Sequence, residues 1–161
     1  MLKDANAIWN YCKDPLLSKF TQNIPFPYTK KHAFSFIDIC DKKWKERRVF
    51  NYSIFVKEKL VGNINLALRT EGIAELGYWI GKKHWGKGYC TEASELILEF
   101  GFSKLRLHKI YATHIRENIG SGKVMQKLGM TKEGCFREHL KKRGKYYDLL
   151  QYGILKKDYI S

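Results

Sequence analysis

Hydrophobic residues in the first third of the chain recur at the spacing of amphipathic helices. A short helix is predicted over Asp4–Tyr11 and its flanks. A rigid loop follows over residues 24–28, because the prolines in it fix the backbone and interrupt helices. Thr29 is a suitable N-cap for the next helix. The apolar positions of that helix are expected to form one buried face; they are Ala33, Phe36, Ile37, Cys40 and Trp44.

From residue 52 onward the apolar pattern changes to the alternation that is typical of strands. A hairpin is predicted from Tyr52–Val56 and Leu60–Leu68, around the polar turn Lys57-Glu58-Lys59, and a further strand over Ile73–Ile80. The later predicted elements are a long helix with Ala93, Leu96, Ile97 and Phe100 on one face, the strand Lys109–Ile115, the helix Ser121–Leu128 closed by Gly129, and the strands Thr131–Phe136 and Tyr146–Leu155. This order predicts a mixed α/β (α+β) fold with a strand–loop–helix–strand unit at its centre.

The length and composition favour one globular domain over residues 1–161. An apolar fraction of 44% is enough to bury a core, which argues against a disordered chain. No apolar run reaches the roughly 20 residues that span a bilayer. The first residues, Met1–Asp4, lack the apolar stretch of a signal peptide. We therefore expect a cytoplasmic protein.

The cysteines are Cys12, Cys40, Cys90 and Cys135, and their spacing is wide and irregular. They form no Cys-x-x-Cys pair and no cluster with histidine, so the sequence predicts neither a zinc site nor another metal site. We expect four reduced thiols, most of them buried.

The formal net charge of +14 favours polyanionic partners such as a nucleotide cofactor, RNA, a ribosome or an anionic membrane. Lysines are scattered through the chain and form no long block, which is also compatible with charge that serves solubility alone. Charge by itself therefore supports only a weak nucleic-acid hypothesis.

A basic, glycine-rich loop between the strand Ile73–Ile80 and the long helix is the strongest local signal. In Trp85–Cys90, glycines allow a sharp turn and a close approach of backbone N–H groups to an anion. The helix N-terminus adds partial positive charge, and Lys82, Lys83 and Lys87 add full charges. Such a loop can hold a pyrophosphate, although an ordinary glycine turn would look similar. The GxxxxGK[ST] and GxGxxG nucleotide motifs are absent from the sequence.

Three separated segments carry a family resemblance. Glu75–Ile80 followed by Trp85–Ala93 resembles the acetyl-CoA motif of GNAT superfamily N-acetyltransferases, and more narrowly of the RimJ/RimL-like branch. In the family's Gln/Arg-x-x-Gly-x-Gly/Ala loop, this chain has Trp85, Gly88 and the small residue Cys90 at the defined positions. Five further segments resemble later parts of the family pattern. They are Glu117-Asn118-Ile119-Gly120-Ser121, Lys127-Leu128-Gly129-Met130, Glu133-Gly134, Arg137-Glu138 and Gly144–Asp148. The match covers essentially the whole chain, in order.

The resemblance implies a GNAT fold with a splayed central sheet and acetyl-CoA as cosubstrate, bound without a metal. It also implies that an amine attacks the thioester directly, without an acyl-enzyme. The residues that it assigns to the cofactor are Tyr78, Trp79, Ile80, Trp85, Gly86, Lys87, Gly88, Tyr89, Cys90, Asn118 and Ser121. Family members usually begin with a strand before the first helix. That strand is expected to be missing in this chain, through a truncated reading frame or a real deletion.

Candidate catalytic residues follow from the proton transfers that this chemistry needs. The tyrosine that many GNAT enzymes use as the acid is replaced by Met125, which cannot donate a proton. Ser121 matches the serine of the RimJ/RimL branch and becomes the candidate acid, although a serine there is also a suitable helix N-cap. Glu75 and Glu138 are candidate bases. The alternative for Glu75 is a surface salt bridge, and the alternative for Glu138 is a solvated charge at the end of a strand. No histidine has the spacing of an acid–base partner.

The acceptor amine stays open between several hypotheses. A protein N-terminal α-amine, of the ribosomal-protein type, is the first. A small amine such as a polyamine or an amino acid is the second, although a basic surface would repel a polyamine. A binding module that has kept the fold without catalysis is the third. A ribosomal partner and a homodimer stay open as well, and a membrane partner is not expected.

Overall fold

Six strands form one mixed sheet with helices against it, and the computed structural model describes residues Asp4–Ile160, without the side chain of Ile160. The helices are α1 (Ala5–Cys12), α2 (Pro15–Phe20), α3 (Lys30–Lys45), α4 (Tyr89–Glu99), α5 (Ile119–Lys127) and α6 (Lys156–Ile160). The strands are β1 (Val49–Val56), β2 (Lys59–Thr70), β3 (Ile73–Ile80), β4 (Lys109–Ile115), β5 (Thr131–Lys142) and β6 (Lys145–Leu155). A 3₁₀ turn at Lys82–His84 precedes α4, and a π-helical segment at Phe100–Lys104 follows it.

The sheet has the strand order β1-β2-β3-β4-β6-β5 and is split along its centre. β3 and β4 run parallel, and they pair only over Ile73–Glu75 and Lys109–Tyr111. Beyond this contact β3 stays paired with β2 as far as Ile80, and β4 stays paired with β6 as far as Ile115. The two strands therefore diverge and leave a gap with unpaired strand edges. This is the splayed mixed sheet that the sequence predicts, and within the described residues no strand precedes α1.

Each face of the sheet carries its own hydrophobic cluster. Along β3, Ala74 and Leu76 pack into the larger cluster, which includes residues of α4 and α5. Trp79 packs on the other side with residues of α1 and α3. This division follows from the alternation of side chains along a strand. The gap between β3 and β4 is therefore bordered by different helices on its two sides.

The helix starts agree with the sequence better than the helix faces do. Thr29 is the N-cap of α3, with a capping box in which its hydroxyl accepts from the His32 N–H. The prediction that Trp44 and Leu96 are buried was wrong, since they are 39% and 64% exposed. On α4 the packed stripe contains Ser94, Ile97 and Leu98, and it continues into Gly101, where an added Cβ would lie 2.7 Å from Ile110 Cδ1. Small residues occupy the positions at which α4 approaches the sheet, so a purely apolar pattern misplaces the face.

Several elements extend beyond their predicted bounds or lie outside the predictions. α2 has only six residues and begins at Pro15, with the Asp14 carboxylate accepting from the Leu16 N–H at 2.8 Å. β5 continues past Phe136 to Lys142 through a mostly exposed, polar stretch, and its pairing with β6 is interrupted after Phe136 and resumes over residues 140–142. Neither element has the apolar periodicity on which a sequence prediction depends. The cysteines are free as expected, but only Cys12 and Cys40 are buried.

Lys142 ties the end of β5 to the loop that follows α2. Its ammonium donates to the main-chain carbonyls of Ser18 and Thr21, and to that of Ile24 at 3.1 Å. Burial and the nearby Arg143 guanidinium lower the pKa of Lys142 to about 8, so the ammonium form still predominates at neutral pH. The carbonyls are at the end of α2 and just beyond it, where helical partners run out. The β5–β6 hairpin therefore holds the backbone of residues 18–24 in place.

We expect Lys142→Met to lower the free energy of unfolding by about 2 kcal/mol, because the variant removes the ammonium from the Ser18 and Thr21 carbonyls, whereas the Ile24 carbonyl still accepts from the Ser18 hydroxyl. Urea unfolding followed by tryptophan fluorescence measures this quantity. Lys141→Met is the matched control, since Lys141 is exposed on the same strand and lies over the Tyr146 ring. An equal loss in the two variants would contradict the importance of the carbonyl contacts.

Candidate active site

A cavity of about 990 Å³ occupies the gap between β3 and β4 and is lined from both faces of the sheet. One part of its wall comes from the loop before α4, the start of α4, and α5. The opposite part comes from α1, the segment of residues 17–28, α3, and β2. All the residues that the resemblance assigns to a cofactor line this cavity, as does Glu75. We refer to the first part, to which the resemblance assigns the cofactor, as the donor half. We refer to the opposite part as the acceptor half.

The loop before α4 presents its backbone toward the donor half. Gly86 and Gly88 have φ of +72° and +81°, a region that side chains with a Cβ rarely adopt. An added Cβ at either position would meet no atom within 4 Å, so the space beside the loop is open. Gly88 precedes α4 without a side-chain cap, which leaves the first N–H groups of the helix free to bind an anion. The Trp85 indole donates to the Ile80 carbonyl at 2.7 Å and fixes the loop to β3.

The inner edge of β3 forms the floor of the gap. Tyr78 and Ile80 pair with Ile64 and Gly62 of β2, and β4 supplies no partner beyond Glu75. Backbone groups of this edge that point away from β2 are therefore available to an extended ligand. The Tyr78 and Trp79 side chains leave the edge in opposite directions, toward α5 and toward α1.

Asn118 and Ser121 have different positions at the start of α5. Asn118 is the N-cap, and its side-chain oxygen accepts from the Ser121 N–H at 3.2 Å. Ser121 is thus the third residue of the helix, and the alternative interpretation of Ser121 as the cap is wrong. The amide of Asn118 also donates to the Phe20 carbonyl at 3.4 Å, which connects α5 to the end of α2.

The Ser121 hydroxyl lies 2.7 Å from the Tyr78 hydroxyl. Burial raises the pKa of Tyr78, so this phenol keeps its proton over the physiological range. When Tyr78 donates to Ser121 Oγ, the hydrogen of Ser121 is free for a further partner in the cavity. Met125 lies one turn further along α5 and is buried at the cavity wall. The Tyr78 hydroxyl is a functional candidate that the sequence did not indicate, because the resemblance concerns its backbone.

Glu75 lies in the acceptor half and is paired with arginine. Arg69 donates to Glu75 Oε2 from Nε at 2.8 Å and from Nη2 at 2.5 Å. The other carboxylate oxygen, Oε1, lies 3.5 Å from the Thr113 hydroxyl. Gln22 donates to this same hydroxyl at 2.7 Å. The cavity wall at this point therefore combines a neutralised carboxylate with amide and hydroxyl groups.

Glu138 does not lie with these residues. It is exposed on β5 with a φ of +49°, and it is not part of the cavity wall. Its N–H donates to Asp148 Oδ1 at 2.8 Å. The structure thus brings Glu75 and Ser121 to the cavity and leaves the second candidate base outside it.

His114 is a further residue of the cavity wall for which the sequence gave no signal. Its Nδ1 donates to the Ile115 carbonyl at 2.8 Å, so the lone pair of the neutral ring is on Nε2. Nε2 is buried without a hydrogen-bond partner, and it faces Gly122 on α5. Burial, with a contribution from Lys132, lowers the pKa of His114 and favours the neutral ring. The ring stacks on Tyr152, which is the ordinary packing of a core histidine.

Within residues 4–160, no group of three or more histidine, cysteine, aspartate or glutamate side chains is placed to hold a metal ion. None of the helices described for these residues is both long enough and apolar enough to cross a membrane.

Comparison with known proteins settles the family. Residues 1–131 match the family model described as an acetyltransferase (GNAT) domain. The chain belongs to the GNAT acetyltransferase family. The resemblance of the sequence to the GNAT family therefore reflects a real relationship, and the prediction of a GNAT fold is confirmed.

Relatives of this GNAT acetyltransferase match it over almost its whole length. It is 33% identical to the uncharacterized N-acetyltransferase p20 of Bacillus licheniformis, over 98% of this chain and 90% of that protein. A solved structure of a GNAT-family acetyltransferase from Bacillus anthracis is 29% identical and superimposes with a TM-score of 0.84, over 98% of this chain and 92% of the other. The GNAT protein is an acetyl-CoA-dependent N-acetyltransferase that acts on an amine.

Two further solved structures share the fold and have different acceptors in their names. RimL, a ribosomal L7/L12 alpha-N-protein acetyltransferase in complex with coenzyme A, is 15% identical with a TM-score of 0.88, over 95% of this chain and 89% of RimL. Spermidine N-acetyltransferase from Vibrio cholerae, in complex with CoA and spermine, is 22% identical with a TM-score of 0.84, over 100% of this chain and 95% of the other. The fold of the GNAT protein is therefore compatible with both classes of acceptor.

Proposed function

We propose that the protein transfers the acetyl group of acetyl-CoA to the α-amine at the N-terminus of a protein or peptide. The observation that carries this proposal is the pairing of Glu75 with Arg69. A polyamine is a polycation that is best bound by several unpaired carboxylates, whereas the carboxylate beside Gln22 and Thr113, Glu75, is already paired with Arg69 through Oε2. The wall around the pair offers the amide and hydroxyl groups of Gln22 and Thr113, which suit the hydrogen-bonding groups of a peptide backbone.

The donor half has the groups that acetyl-CoA needs. We assign the pyrophosphate to the backbone N–H groups of Trp85–Cys90 and the start of α4, with charge added by Lys87. The pantetheine amides fit the free edge of Tyr78–Ile80, where an extended chain can replace the missing strand partner. Asn118 and Ser121 border the same half from α5. Support for this assignment comes from the open space beside Gly86 and Gly88 and from the uncapped N-terminus of α4.

Catalysis in this proposal depends on proton transfers by residues on opposite sides of the gap. Bound acetyl-CoA supplies a thioester carbonyl that an amine can attack directly. Ser121 donates the proton of its hydroxyl to the departing sulfur, and the second proton that the attacking nitrogen loses on becoming an amide returns to Ser121 through a water molecule. Tyr78 holds the Ser121 hydroxyl in position by donating to its oxygen. Glu75 receives the proton of the acceptor ammonium at Oε1, directly or through a water molecule. His114 is left in a packing role, because its Nε2 faces α5.

A CoA-release assay across a panel of acceptors tests the proposal. We expect a peptide with a free N-terminus to have a kcat/KM at least about tenfold above that of spermidine, which corresponds to one charge interaction. The same peptide with a blocked N-terminus and an internal lysine is the control for the site of transfer. Higher kcat/KM for spermidine would favour the small-amine alternative. Absence of CoA release with every acceptor would favour the non-catalytic alternative.

A further inference from the structure

Arg69 lies on the wall of the acceptor half and has N–H donors that its contacts with other residues do not use. The guanidinium has five N–H groups, more than its contacts with Glu75 and Tyr111 occupy. Its side chain is 53% exposed, whereas that of Glu75 is 22% exposed. Arg69 therefore reaches from a partly buried carboxylate into open cavity. An arginine that only neutralised Glu75 would not need to line the cavity.

The position of Arg69 along the strands gives the acceptor a direction. Glu75 is opposite Ala67 on β2, and Gly77 is opposite Asn65. Arg69 thus lies beyond Glu75 on the side away from Tyr78 and Ser121, where β3 and β4 are paired and the gap closes, and its side chain forms that end of the cavity wall. An acceptor amine that is near Glu75 has the rest of its molecule available to the Arg69 side. A negative group bound by Arg69 would lie only a few bonds from the reacting amine.

We infer that Arg69 binds a carboxylate close to the reacting amine, so that the preferred acceptors are acidic at their N-terminal end. This inference rests on the proposed function and names the substrate class for the same site. Arginine is suited to carboxylates because its planar fork can make two parallel hydrogen bonds. The carboxylate can come from an Asp or Glu side chain in the first residues of a peptide, or from the α-carboxylate of a free amino acid.

The charge of the protein supports an acidic acceptor. The net charge of +14 attracts anionic molecules and repels cationic ones. Basic residues are concentrated in the β5–β6 hairpin, whose Lys142 holds the acceptor-half loop and whose Arg143 donates to the Pro15 carbonyl at 3.0 Å. An acidic peptide therefore approaches the acceptor half through a favourable field.

The test compares peptides that differ only in charge. Ser-Asp-Glu and Ser-Asn-Gln peptides of equal length are assayed for kcat/KM with the parent and with Arg69→Gln. We expect the kcat/KM of the parent to be about tenfold higher for the acidic peptide than for the neutral one. A half-exposed charge pair contributes a free energy at the lower end of the range for hydrogen bonds to charged groups, which corresponds to this factor. In Arg69→Gln, the ratio of kcat/KM for the acidic peptide to that for the neutral peptide should fall close to one. The ratio of the two peptides cancels any general loss of activity that the broken contact with Glu75 causes.

Two further variants separate the charge of Arg69 from its geometry and control for the general effect of removing an arginine. Arg69→Lys retains the charge without the fork, so part of the preference should remain. Arg48→Gln is the matched control, because Arg48 is a more exposed arginine that pairs with Glu46 and does not line the cavity. The ratio of kcat/KM for the two peptides should be the same in Arg48→Gln as in the parent.

The remaining outcomes separate this inference from the proposed function. Equal acetylation of acidic and neutral peptides would overturn the role of Arg69 and leave peptide acetylation standing. Acetylation of free glutamate but not of peptides would support carboxylate recognition and overturn the peptide assignment. A preference for spermidine, or an unchanged ratio in Arg69→Gln, would overturn the inference.

Discussion

Ser121→Ala is expected to lower kcat by about 10²-fold, the lower end of the usual contribution of general-acid catalysis. The lower end applies because a thiolate is already a fair leaving group. The variant should fold and bind acetyl-CoA, since Asn118 and not Ser121 caps α5, and alanine is a good helix former. Steady-state turnover, measured where chemistry is rate-limiting, and the melting temperature together separate the chemical role from a structural one.

Tyr78→Phe extends this prediction to the partner hydroxyl. Loss of the 2.7 Å contact leaves Ser121 without its positioning donor, so kcat should fall by less than in Ser121→Ala. Because both residues act through one proton, the double variant should be no slower than Ser121→Ala alone. Ser103→Ala is the control, since this serine is outside the cavity and donates to the Glu99 carbonyl. Losses that multiply in the double variant would show that the two hydroxyls act independently.

Gly88→Val is expected to raise the Kd for acetyl-CoA by about 10- to 100-fold, the equivalent of one hydrogen bond to a charged group. A valine strains the backbone at a φ of +81° and places methyl groups where the loop N–H groups are open. Isothermal titration calorimetry measures the Kd. Thermal shift gives an independent check, because ligand at 100 times its Kd adds about 2.7 kcal/mol of stability.

Gly144→Val is the control for backbone strain. Gly144 has a φ of +76°, also without a neighbour within 4 Å of an added Cβ, but it lies in the β5–β6 turn. The control should lose stability as Gly88→Val does and keep the Kd of the parent. If Gly88→Val also kept that Kd, the assignment of the loop to the pyrophosphate would fail.

The elements that could be predicted from the sequence are those in which one face is buried. β3 and β4 have the predicted bounds, because their alternation reflects contact with a core on at least one side. α2 lacks this signal because it is short, and the end of β5 lacks it because the strand is mostly exposed. The buried stripe of α4 was misplaced for a related reason. The packed stripe includes the fully buried Ser94, and it continues into Gly101 of the π-helical segment, where an added Cβ would meet Ile110; a count of apolar residues passes over both.

The candidate site divides in a similar way. The backbone loop at Gly88 could be located from sequence, because glycines and a helix start are local features. Side-chain partnerships could not be located, because they depend on register and on packing between distant segments. The contact between Arg69 and Glu75 crosses an irregularity in the β2–β3 pairing, and Ser121 meets Tyr78 across the gap. The sequence also allows Ser121 to be the cap, because asparagine and serine both suit a helix start and only the structure shows that Asn118 has this position.

The division of the cavity into two halves has a consequence for how such a protein evolves. The donor half belongs to α4, α5 and the loop between β3 and α4, whereas much of the acceptor half belongs to residues 17–28 and β2. β3 and β4 contribute to both. Side-chain substitutions in residues 17–24 can therefore accumulate, after a gene duplication or in a directed library, because the contact of this segment with Asn118 uses the main-chain carbonyl of Phe20. Acceptor range is thus the most adaptable property of this architecture, and exchange of that loop between relatives is a direct route to new acceptors.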